Sequence, residues 1–493
     1  MNYIGVDLGT SAVKLLLMNG EGEILKIVSR EYPVSFPKSG WSEQSPEDWF
    51  TQTVDGIKEL AAVVDGEVAG ISVAGQMHGL VTLDSDDKVI RKAILWNDGR
   101  SQVNSDWLNT EITTHKLTEY TGNISYAGFT APKLLWMKEN EPELFAKIKK
   151  IMLPKDYITY MLTGVCATDP SDASGTLYYD VKNRCWSKEM CEILSITEDQ
   201  LPTVYESYEK VGEVKEEIKS LLGIKGSCIV AAGAGDNAGA AIGMGITGEG
   251  TCNISLGTSG TVFISSENFS EDFDNHLHSF AHADGAYHVM GCILSAASCN
   301  KWWMEEILDT KDYNGESGKI TDDKLGQNRV FFLPYLMGER SPINDTAARS
   351  VFYGMSMDNT RADMTQAVYE GVSFALRDCL ESAKAMGINV TESCVCGGGS
   401  KSKIWLKILS NILGIKLMQT ENTEGPSFGA AILAAVAAGE YTDVRSACDK
   451  LIKITEQVEP DAELTALYEK RYEEYSKIYP ALKSTFAYVA ERR

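Results

Sequence analysis

Short apolar runs separated by glycine turns open the chain, and a longer amphipathic stretch follows them. Three of these runs predict buried strands, at residues 3–7, 12–18 and 24–32. A helix is predicted from Pro46, because Ser45 is a favoured N-cap and proline suits the first helical position. A further short strand is predicted at residues 68–74, before the sequence "GQMHG". Strands that alternate with helices in this way indicate an α/β protein.

The same pattern begins again in the second half of the chain. Residues 228–232 predict a strand and residues 236–245 predict a helix of small residues, before another strand, turn and strand. The segment "ISLGTSGTVF" there repeats the first segment, "IGVDLGTSAVKLLL", with Ser255 at the place of Asp7. The chain therefore carries two copies of one strand–turn–strand unit, and only the first copy has the acid.

The length of the chain fits this duplication. At 493 residues it can form at least two full cores, since single cores rarely grow beyond about 250 to 300 residues. We predict two similar domains, residues 1–245 and residues 246–493, that face each other across a cleft. This arrangement would bring the two Gly-Thr-Ser turns together.

Net charge limits the partners that the protein can bind, and cysteine content indicates the cell compartment in which it works. The net charge of −23 argues against nucleic acid or an anionic membrane, since both attract positive surfaces. No apolar stretch reaches the roughly 18 residues of a membrane span, and "MNYIGVD" lacks a basic and apolar leader. The eleven cysteines, an odd number, favour reduced thiols over a disulfide framework. We predict a cytoplasmic protein with no nucleic-acid or membrane partner. A homodimer is an oligomeric state that the sequence allows.

Each Gly-Thr-Ser turn offers the chemistry of a phosphate site. Glycine lets the backbone approach an oxyanion, threonine and serine add hydroxyl donors, and successive N–H groups form an anion-binding nest. Asp7, beside the first turn, is placed to hold Mg²⁺ directly or through water. A purely structural hairpin turn is the alternative for either copy alone. The duplication, with an acid in one copy only, favours phosphate binding.

Asp236 is the candidate general base. It lies in "AAGAGDNAGAAIGMG", where it follows a strand and a glycine-rich turn and opens a helix of alanine and glycine. Such a helix is costly unless something must come close to it. An aspartate at this place could accept a hydroxyl proton during phosphoryl transfer, and an N-cap is the structural alternative. The two roles are compatible, because a helix N-terminus also favours the ionised carboxylate.

Two further glycine-rich segments could line pockets. "AGQMHGLV" places polar residues between Gly75 and Gly79 at a strand end, which favours a polyol pocket over a lone structural histidine. "VCGGGSKSKIW" suits the approach of a flat ring or a phosphate, although alone it is a weak signal. The chain has no P-loop sequence, so ATP would need another architecture.

Four of the six histidines lie close together in sequence and resemble a metal site at first sight. No nearby cysteine or glutamate completes a tetrahedral set of suitable spacing, so zinc is not favoured there. These histidines are His276, His278, His282 and His288.

Two longer segments carry a family resemblance. "GFTAPKLLWMKEN", residues 128–140, and "SVFYGMSMDNTRADMTQAVYE", residues 350–370, resemble the two signature segments of the FGGY carbohydrate kinases. That family belongs to the superfold of actin, hexokinase and the heat-shock chaperones. The resemblance covers nearly the whole chain, and it implies two ribonuclease-H-like domains of the actin-like ATPase type, facing each other across a catalytic cleft.

The phrases "GQMHG", "ILWNDGRS", "LPKDY" and "TDPSDASGT" are similar to those of family members that act on D-xylulose. The resemblance implies phosphorylation of the 5-hydroxyl of D-xylulose by Mg-ATP, with Asp236 as proton acceptor and Asp7 near Mg²⁺. The sugar contacts that it implies are Met77, His78 and Asn237. The nucleotide contacts that it implies are Thr10, Ser11 and Lys14 in the first phosphate loop, Thr258 in the second turn, and Gly398 and Ser402 in the nucleotide pocket.

Three alternatives stay open from the sequence. The first is another kinase of the same family that acts on a different ketose or on a sugar acid. The second is a non-catalytic sugar or nucleotide sensor, which would call for a DNA-binding segment or a lost catalytic acid. The third is a chaperone-like or filament-forming ATPase, which would lack the polar segment at residues 76–78.

Overall fold

The computed structural model describes residues 1–490 and contains a seven-stranded mixed sheet in each half. In the first sheet the strand order is β5-β6-β4-β1-β2-β3, and β7 pairs with the end of β4. Strands β1, β2 and β3 are antiparallel, whereas β4 runs parallel to β1. These strands are β1 (Asn2–Leu8), β2 (Ala12–Asn19), β3 (Ile24–Glu31), β4 (Gly70–Gly75), β5 (Lys210–Glu213), β6 (Ile229–Ala231) and β7 (Ala234–Gly235).

The second sheet repeats this topology in the order β10-β11-β9-β8-β12-β13-β14. Strand β8 forms an antiparallel hairpin with β9 and pairs in parallel with β12, as β1 does with β2 and β4. The two Gly-Thr-Ser segments are the turns of the two equivalent hairpins. The strands are β8 (Thr251–Leu256), β9 (Gly260–Ser266), β10 (His278–Ala281), β11 (Tyr287–Ile293), β12 (Glu392–Cys396), β13 (Lys416–Thr420) and β14 (Ile454–Val458).

Seven helices organise the two sheets and the cleft: α1 (Pro46–Ala61), α2 (Pro154–Thr163), α3 (Asp236–Gly243), α4 (Arg361–Ala385), α5 (Lys403–Leu413), α6 (Gly425–Ala437) and α7 (Ala462–Ala490). The other helices are Gln102–Trp107, Thr114–Thr121, Thr130–Asn140, Pro142–Phe145, Pro170–Ala173, Lys188–Leu194, Glu216–Leu222, Ala297–Lys301, Tyr313–Ser317 and Val444–Leu451. Five two-stranded ribbons complete the fold, formed by Glu43–Gln44, Val81–Leu83, Ala93–Ile94, Lys150–Met152, Ala167–Thr168, Tyr179–Asp180, Cys185–Trp186, Thr203–Val204, Phe331–Leu333 and Val351–Tyr353.

The elements predicted from the apolar pattern are present, with ends shifted by one or two residues. Helix α1 begins at Pro46 as predicted, but the Ser45 hydroxyl donates to Glu47 Oε2 at 2.5 Å instead of capping the helix. The helix predicted over residues 236–245 ends at Gly243. It ends early because Gly245 adopts a left-handed conformation, with φ of 77°, and Ile246 N–H donates back to the Ala241 carbonyl at 2.9 Å.

Helices α3 and α6 cross at the centre of the molecule through glycines. A Cβ atom on Gly429 would lie 1.9 Å from the Gly239 carbonyl oxygen, and one on Gly243 would lie 2.1 Å from that of Gly425. Helix α6 also packs on the first sheet, since a Cβ on Gly5 would lie 1.9 Å from the Ser427 carbonyl oxygen. The boundary predicted after residue 245 lies in the loop between α3 and β8, and α6 extends from the second half onto the first sheet.

Candidate active site

Asp7 and Asp236 lie close together at the cleft. Asp7 is near the end of β1, beside Ala74 of the parallel strand β4 and opposite Lys14 of β2. Burial raises the pKa of Asp236 to about 6. Burial and then the charge of Asp236 raise the pKa of Asp7 to about 7, against the opposing effect of Lys14. Two carboxylates with raised pKa values at one cleft are typical of a catalytic site.

Asp236 is fixed at the first position of α3. Its Oδ1 accepts a hydrogen bond from Asn237 N–H at 2.7 Å, and the preceding Gly235 N–H donates to Ser171 Oγ at 3.1 Å. The alanine and glycine content of α3 has a structural cause as well, because the neighbour that comes close is α6. A Cβ on Gly239 would lie 2.9 Å from Ala74 Cβ. The close helix crossing therefore explains the small residues of α3, so they are no evidence for a ligand.

The first Gly-Thr-Ser turn is tied into a polar network. Thr10 Oγ1 donates to Gln76 Oε1 at 3.2 Å and accepts from Trp96 Nε1 at 3.0 Å, and its carbonyl accepts from Gln44 Nε2 at 2.7 Å. Ser11 is exposed. Two of these partners lie in segments quoted above, Gln76 in "GQMHG" and Trp96 in "ILWNDGRS", whereas no sequence pattern singled out Gln44.

Lys14 lies at the same cleft with a carboxylate partner. Its Nζ is 3.0 Å from Glu424 Oε2, at the start of α6, and about two fifths of its side chain is exposed (43%). It is close enough to Asp7 to oppose the rise in the pKa of that carboxyl. An incoming phosphate group would compete with Glu424 for this lysine.

His78 and Met77 lie at the end of the β4 segment. His78 adopts a left-handed backbone conformation with φ of 68°, and its Nδ1 is 2.7 Å from the Gly175 carbonyl oxygen. Its ring stacks on Phe129 at 4.7 Å, and burial lowers its pKa to about 3, so the imidazole is neutral and Nδ1–H donates to Gly175. Met77 is buried against Gly235, where a Cβ would lie 2.9 Å from its sulfur. Met77 therefore connects this segment to the residue before Asp236.

Lys133, within the first signature segment, supports the His78 turn. It is fully buried, and its Nζ donates to the carbonyl oxygens of His78 at 2.7 Å and Gly128 at 2.6 Å. Burial lowers the pKa of Lys133 to about 7. The strained backbone of His78 is thus held by a buried amine from the helix Thr130–Asn140.

A cavity of about 510 Å³ opens beside His78 and is lined by both halves of the molecule. Its volume is in the range of small-molecule sites, about 300–1,000 Å³. Its polar lining includes Asn97, Asp98 and Asn109 from the first half, and Glu339 and Arg340 from the second. Glu339 and Arg340 were not among the predicted site residues, although the apolar run "VFFLPYLM" and Gly338 directly precede them.

A second cavity, of about 820 Å³, lies beside the second sheet. Gly398 and Lys401 line one side of it, Asn422 and Gly425 line another, and Ala240 of α3 faces it. Ser402 does not line this cavity, because its hydroxyl accepts from Trp405 N–H at 3.4 Å and caps α5.

The second turn is more open than the first. Thr258 is exposed, and its carbonyl accepts from Ala296 N–H at 2.9 Å and from Ser298 Oγ at 2.6 Å. Ser255, the counterpart of Asp7, lines the larger cavity.

Behind Asp236 lies a buried charge network from the segments "LPKDY" and "TDPSDASGT". Lys155 Nζ is 2.7 Å from Asp156 and 2.9 Å from Asp169, and all three side chains are buried. Burial opposes its charge, but the neighbouring carboxylates, Asp156 first, hold the pKa of Lys155 above its ordinary value. Asp169 Oδ2 accepts from Ser171 Oγ at 2.5 Å, and Ser171 in turn receives Gly235 N–H. This chain of contacts connects Lys155 to the residue before Asp236.

The histidine cluster and the cysteines are the other groups with reactive or metal-binding side chains. Within residues 1–490, no group of three or more His, Cys, Asp or Glu side chains is arranged to hold a metal ion. His282 and His288 have rings 5.7 Å apart, and His288 stacks on Phe263. All eleven cysteines are free thiols. The described helices include none with the length and apolar character that a bilayer crossing requires.

Comparisons with known proteins agree with this geometry. Residues 2–243 match the N-terminal domain of the FGGY family of carbohydrate kinases, and residues 252–438 match its C-terminal domain. The chain is 38% identical to a xylulose kinase of Escherichia coli (strain K12), over 97% of this chain and 99% of that protein. It is similar to a crystal structure of a xyloylose kinase from Brucella ovis, with 38% identity, a TM-score of 0.93, and coverage of 98% and 100%.

A gluconate kinase from Lactobacillus acidophilus also matches, with 27% identity, a TM-score of 0.93, and 99% coverage of both chains. These matches confirm the predicted α/β fold of two actin-like domains that face each other across a cleft. Since both domain models match and the E. coli relative aligns over nearly its whole length, the chain belongs to the FGGY family of carbohydrate kinases.

Proposed function

We propose that this chain transfers the γ-phosphoryl group of Mg-ATP to the 5-hydroxyl of D-xylulose. The observation that carries the proposal is the position of α3. Asp236 opens this helix beside Met77, and Ala240, about one turn later, faces the larger cavity. A base on this helix can therefore act between a sugar at His78 and a nucleotide in the larger cavity. The names of the relatives with 38% identity support the choice of sugar.

Asp236 acts in this proposal as the proton acceptor for the sugar hydroxyl. With a pKa of about 6, the carboxylate is largely ionised at neutral pH, and its basicity is close to the working pH. Met77, His78 and Asn237 orient the sugar, and Nε2 of neutral His78 can accept a hydrogen bond from a sugar hydroxyl. Positioning of this kind supplies most of the acceleration in phosphoryl transfer.

Asp7 fits a position near Mg²⁺. Within residues 1–490 no donor forms a hydrogen bond with its carboxylate, and its pKa is raised to about 7 by burial and by Asp236, both of which a cation would offset. The described residues offer no complete protein cage, which suits an ion held by one or two carboxylates, water and substrate phosphates. When bound, Mg²⁺ would neutralise the charge that develops on the transferring group.

The two turns bind the phosphates in this proposal. Thr10, Ser11 and Lys14 act on the side of residues 1–245, which carry the sugar site, and Thr258 acts on the side of residues 246–493. Gly398 admits the nucleotide, because a Cβ at that position would meet nothing within 4 Å. Ser402 supports this pocket indirectly by capping α5. The free thiols are compatible with the predicted cytoplasmic location.

The test is the initial rate of ADP release with Mg·ATP and D-xylulose, L-ribulose, D-ribulose, gluconate, glycerol or no acceptor. We expect kcat/KM for D-xylulose to exceed that for the others by about tenfold or more, or 1.4 kcal/mol. A higher value for gluconate or another acceptor would keep the kinase and overturn the substrate. A rate that no acceptor raises above the blank would overturn the kinase proposal.

A further inference from the structure

Glu339 reaches the cavity beside His78 from the second half of the molecule. It lies in a loop that is fixed at two places. Its backbone exchanges two hydrogen bonds with Asp345, both of 2.9 Å, and Ser341 N–H donates to the Cys292 carbonyl on β11 at 3.0 Å. Glu339 therefore lines the cavity from a well-anchored backbone.

The two carboxyl oxygens of Glu339 have different surroundings. Oε1 accepts hydrogen bonds from Leu294 N–H at 2.7 Å and Arg340 N–H at 2.8 Å. Oε2 is buried and has no hydrogen-bond partner in the part of the chain that the structure describes, although the residue is only 2% exposed. A buried polar atom without a partner is costly and needs an explanation.

The surroundings of the free oxygen point to a ligand. Burial raises the pKa of Glu339 to about 8, and Oε1 is already occupied by two donors, so a proton held at neutral pH belongs on Oε2. An O–H group at this place can donate to a neutral hydroxyl, which can also accept or donate as needed. The cavity is of ligand size and is lined by polar groups from both halves.

We propose that Glu339 is a specificity-determining residue, whose Oε2 forms a hydrogen bond with one hydroxyl of the acceptor sugar other than the 5-hydroxyl. This inference rests on the proposed function. His78 contacts the sugar from the first half and Glu339 from the second, so a bound sugar connects the two halves directly. A kinase site that reads a hydroxyl in this way rejects analogues that lack it.

Three variants test the proposal. Glu339→Met removes both oxygens at similar length, whereas Glu339→Gln keeps an acceptor for the backbone and a donor for the sugar. Glu463→Gln, at an exposed position of α7, is the control. For Glu339→Met we expect KM for D-xylulose to rise roughly 10- to 100-fold with little change in kcat. Glu339→Gln should stay within about threefold of the unmodified protein, because amide and hydroxyl can still form the hydrogen bond.

The deciding measurement pairs each variant with 1-, 3- and 4-deoxy-D-xylulose. If Glu339 contacts one hydroxyl, the penalty of Glu339→Met should disappear for the analogue that lacks that hydroxyl, and persist for the others. An equal penalty for every analogue, or a loss in kcat alone, would show a structural role and overturn the inference. If Glu339→Met fails to fold, Glu339→Asp, which withdraws the carboxyl by one methylene, must show the same dependence on the analogue.

The two proposals fail in different ways. An unmodified protein that is inactive with D-xylulose overturns the proposed function. An unmodified protein that is active, with KM unchanged in Glu339→Met, overturns only the assignment of Glu339.

Discussion

The two hairpins of the chain share one topology and differ in the side chains at the strand end and at the turn. In the β1–β2 hairpin, strand β1 carries Asp7, whose pKa is raised in part by the charge of Asp236, and Thr10 forms hydrogen bonds with Gln44, Gln76 and Trp96. In the β8–β9 hairpin Ser255 stands at the equivalent place, and Thr258 is exposed. The comparison teaches that the two halves share the backbone of this hairpin, whereas the proposed chemistry depends on a carboxylate that only the first hairpin carries.

The largest expected effect comes from replacing Asp236, the proposed base. Asp236→Asn keeps the size of the side chain and removes the proton acceptor, so we expect kcat to fall about 10²- to 10⁴-fold with little change in KM for D-xylulose. Steady-state kinetics measure this, and thermal unfolding serves as the control for folding. A kcat within threefold of the unmodified protein would contradict the role of Asp236.

The second prediction concerns Asp7→Ser, which gives the first hairpin the residue that the second hairpin has at the equivalent place, Ser255. Asp7→Ser should lower kcat by about 100-fold and increase the Mg²⁺ concentration needed for half-maximal rate, because a carboxylate near the ion is lost. Ser255→Ala is the matched change in the other hairpin, and a few-fold effect on KM for ATP is expected there. Equal effects of the two substitutions would mean that the hairpins do not differ in function.

The third prediction compares two glycines of the second half. Gly429→Val places atoms where the Gly239 carbonyl lies, and we expect the free energy of unfolding to fall by about 2–3 kcal/mol. Gly398→Ala meets open space, so stability should be unchanged, while KM for ATP rises. Urea unfolding and initial rates separate the two. Similar stability of both variants would contradict the close helix crossing.

The smallest expected effect is the pH dependence of the carboxylate pair. Because Asp236 must be ionised, kcat/KM should fall as pH decreases through about 6, and a second step near 7 should reflect Asp7. Mg²⁺ competes with the proton on Asp7, so a higher Mg²⁺ concentration should move the second step to lower pH. Both pKa values are raised from 3.8 in the folded chain, so the free energy of unfolding should decrease as pH rises from about 4 through 7. A rate independent of pH between 5 and 8 would contradict the pair.

Much of the fold was predictable, because apolar periodicity and glycine turns are local signals. The strand–turn–strand repeat and the start of α1 follow from neighbouring residues, and Asp7 stands out because a carboxylate at the end of a buried strand is unusual. Ser402 shows the limit of such signals. A serine after glycines resembles a ligand contact and a helix cap equally, and here it caps α5.

The rest of the site depends on contacts between distant segments. The partners of Thr10 come from three separate places in the sequence, and Glu339 reaches the cavity of His78 across 261 positions of the chain, from 78 to 339. No local pattern encodes these neighbours. The small residues of α3 were likewise ambiguous, since a ligand and a crossing helix require the same lack of side chains.

The glycine crossing of α3 and α6 has a mechanical consequence. Where two backbones meet without interlocking side chains, a small rotation of one helix over the other requires no change of side-chain rotamer, so we expect this contact to act as a pivot. Atoms of one half would then move further relative to the other half the further they lie from this crossing. Ala240 and Gly425 lie next to this point and face the larger cavity, so that wall should stay nearly still while the distant rim of the cleft travels furthest.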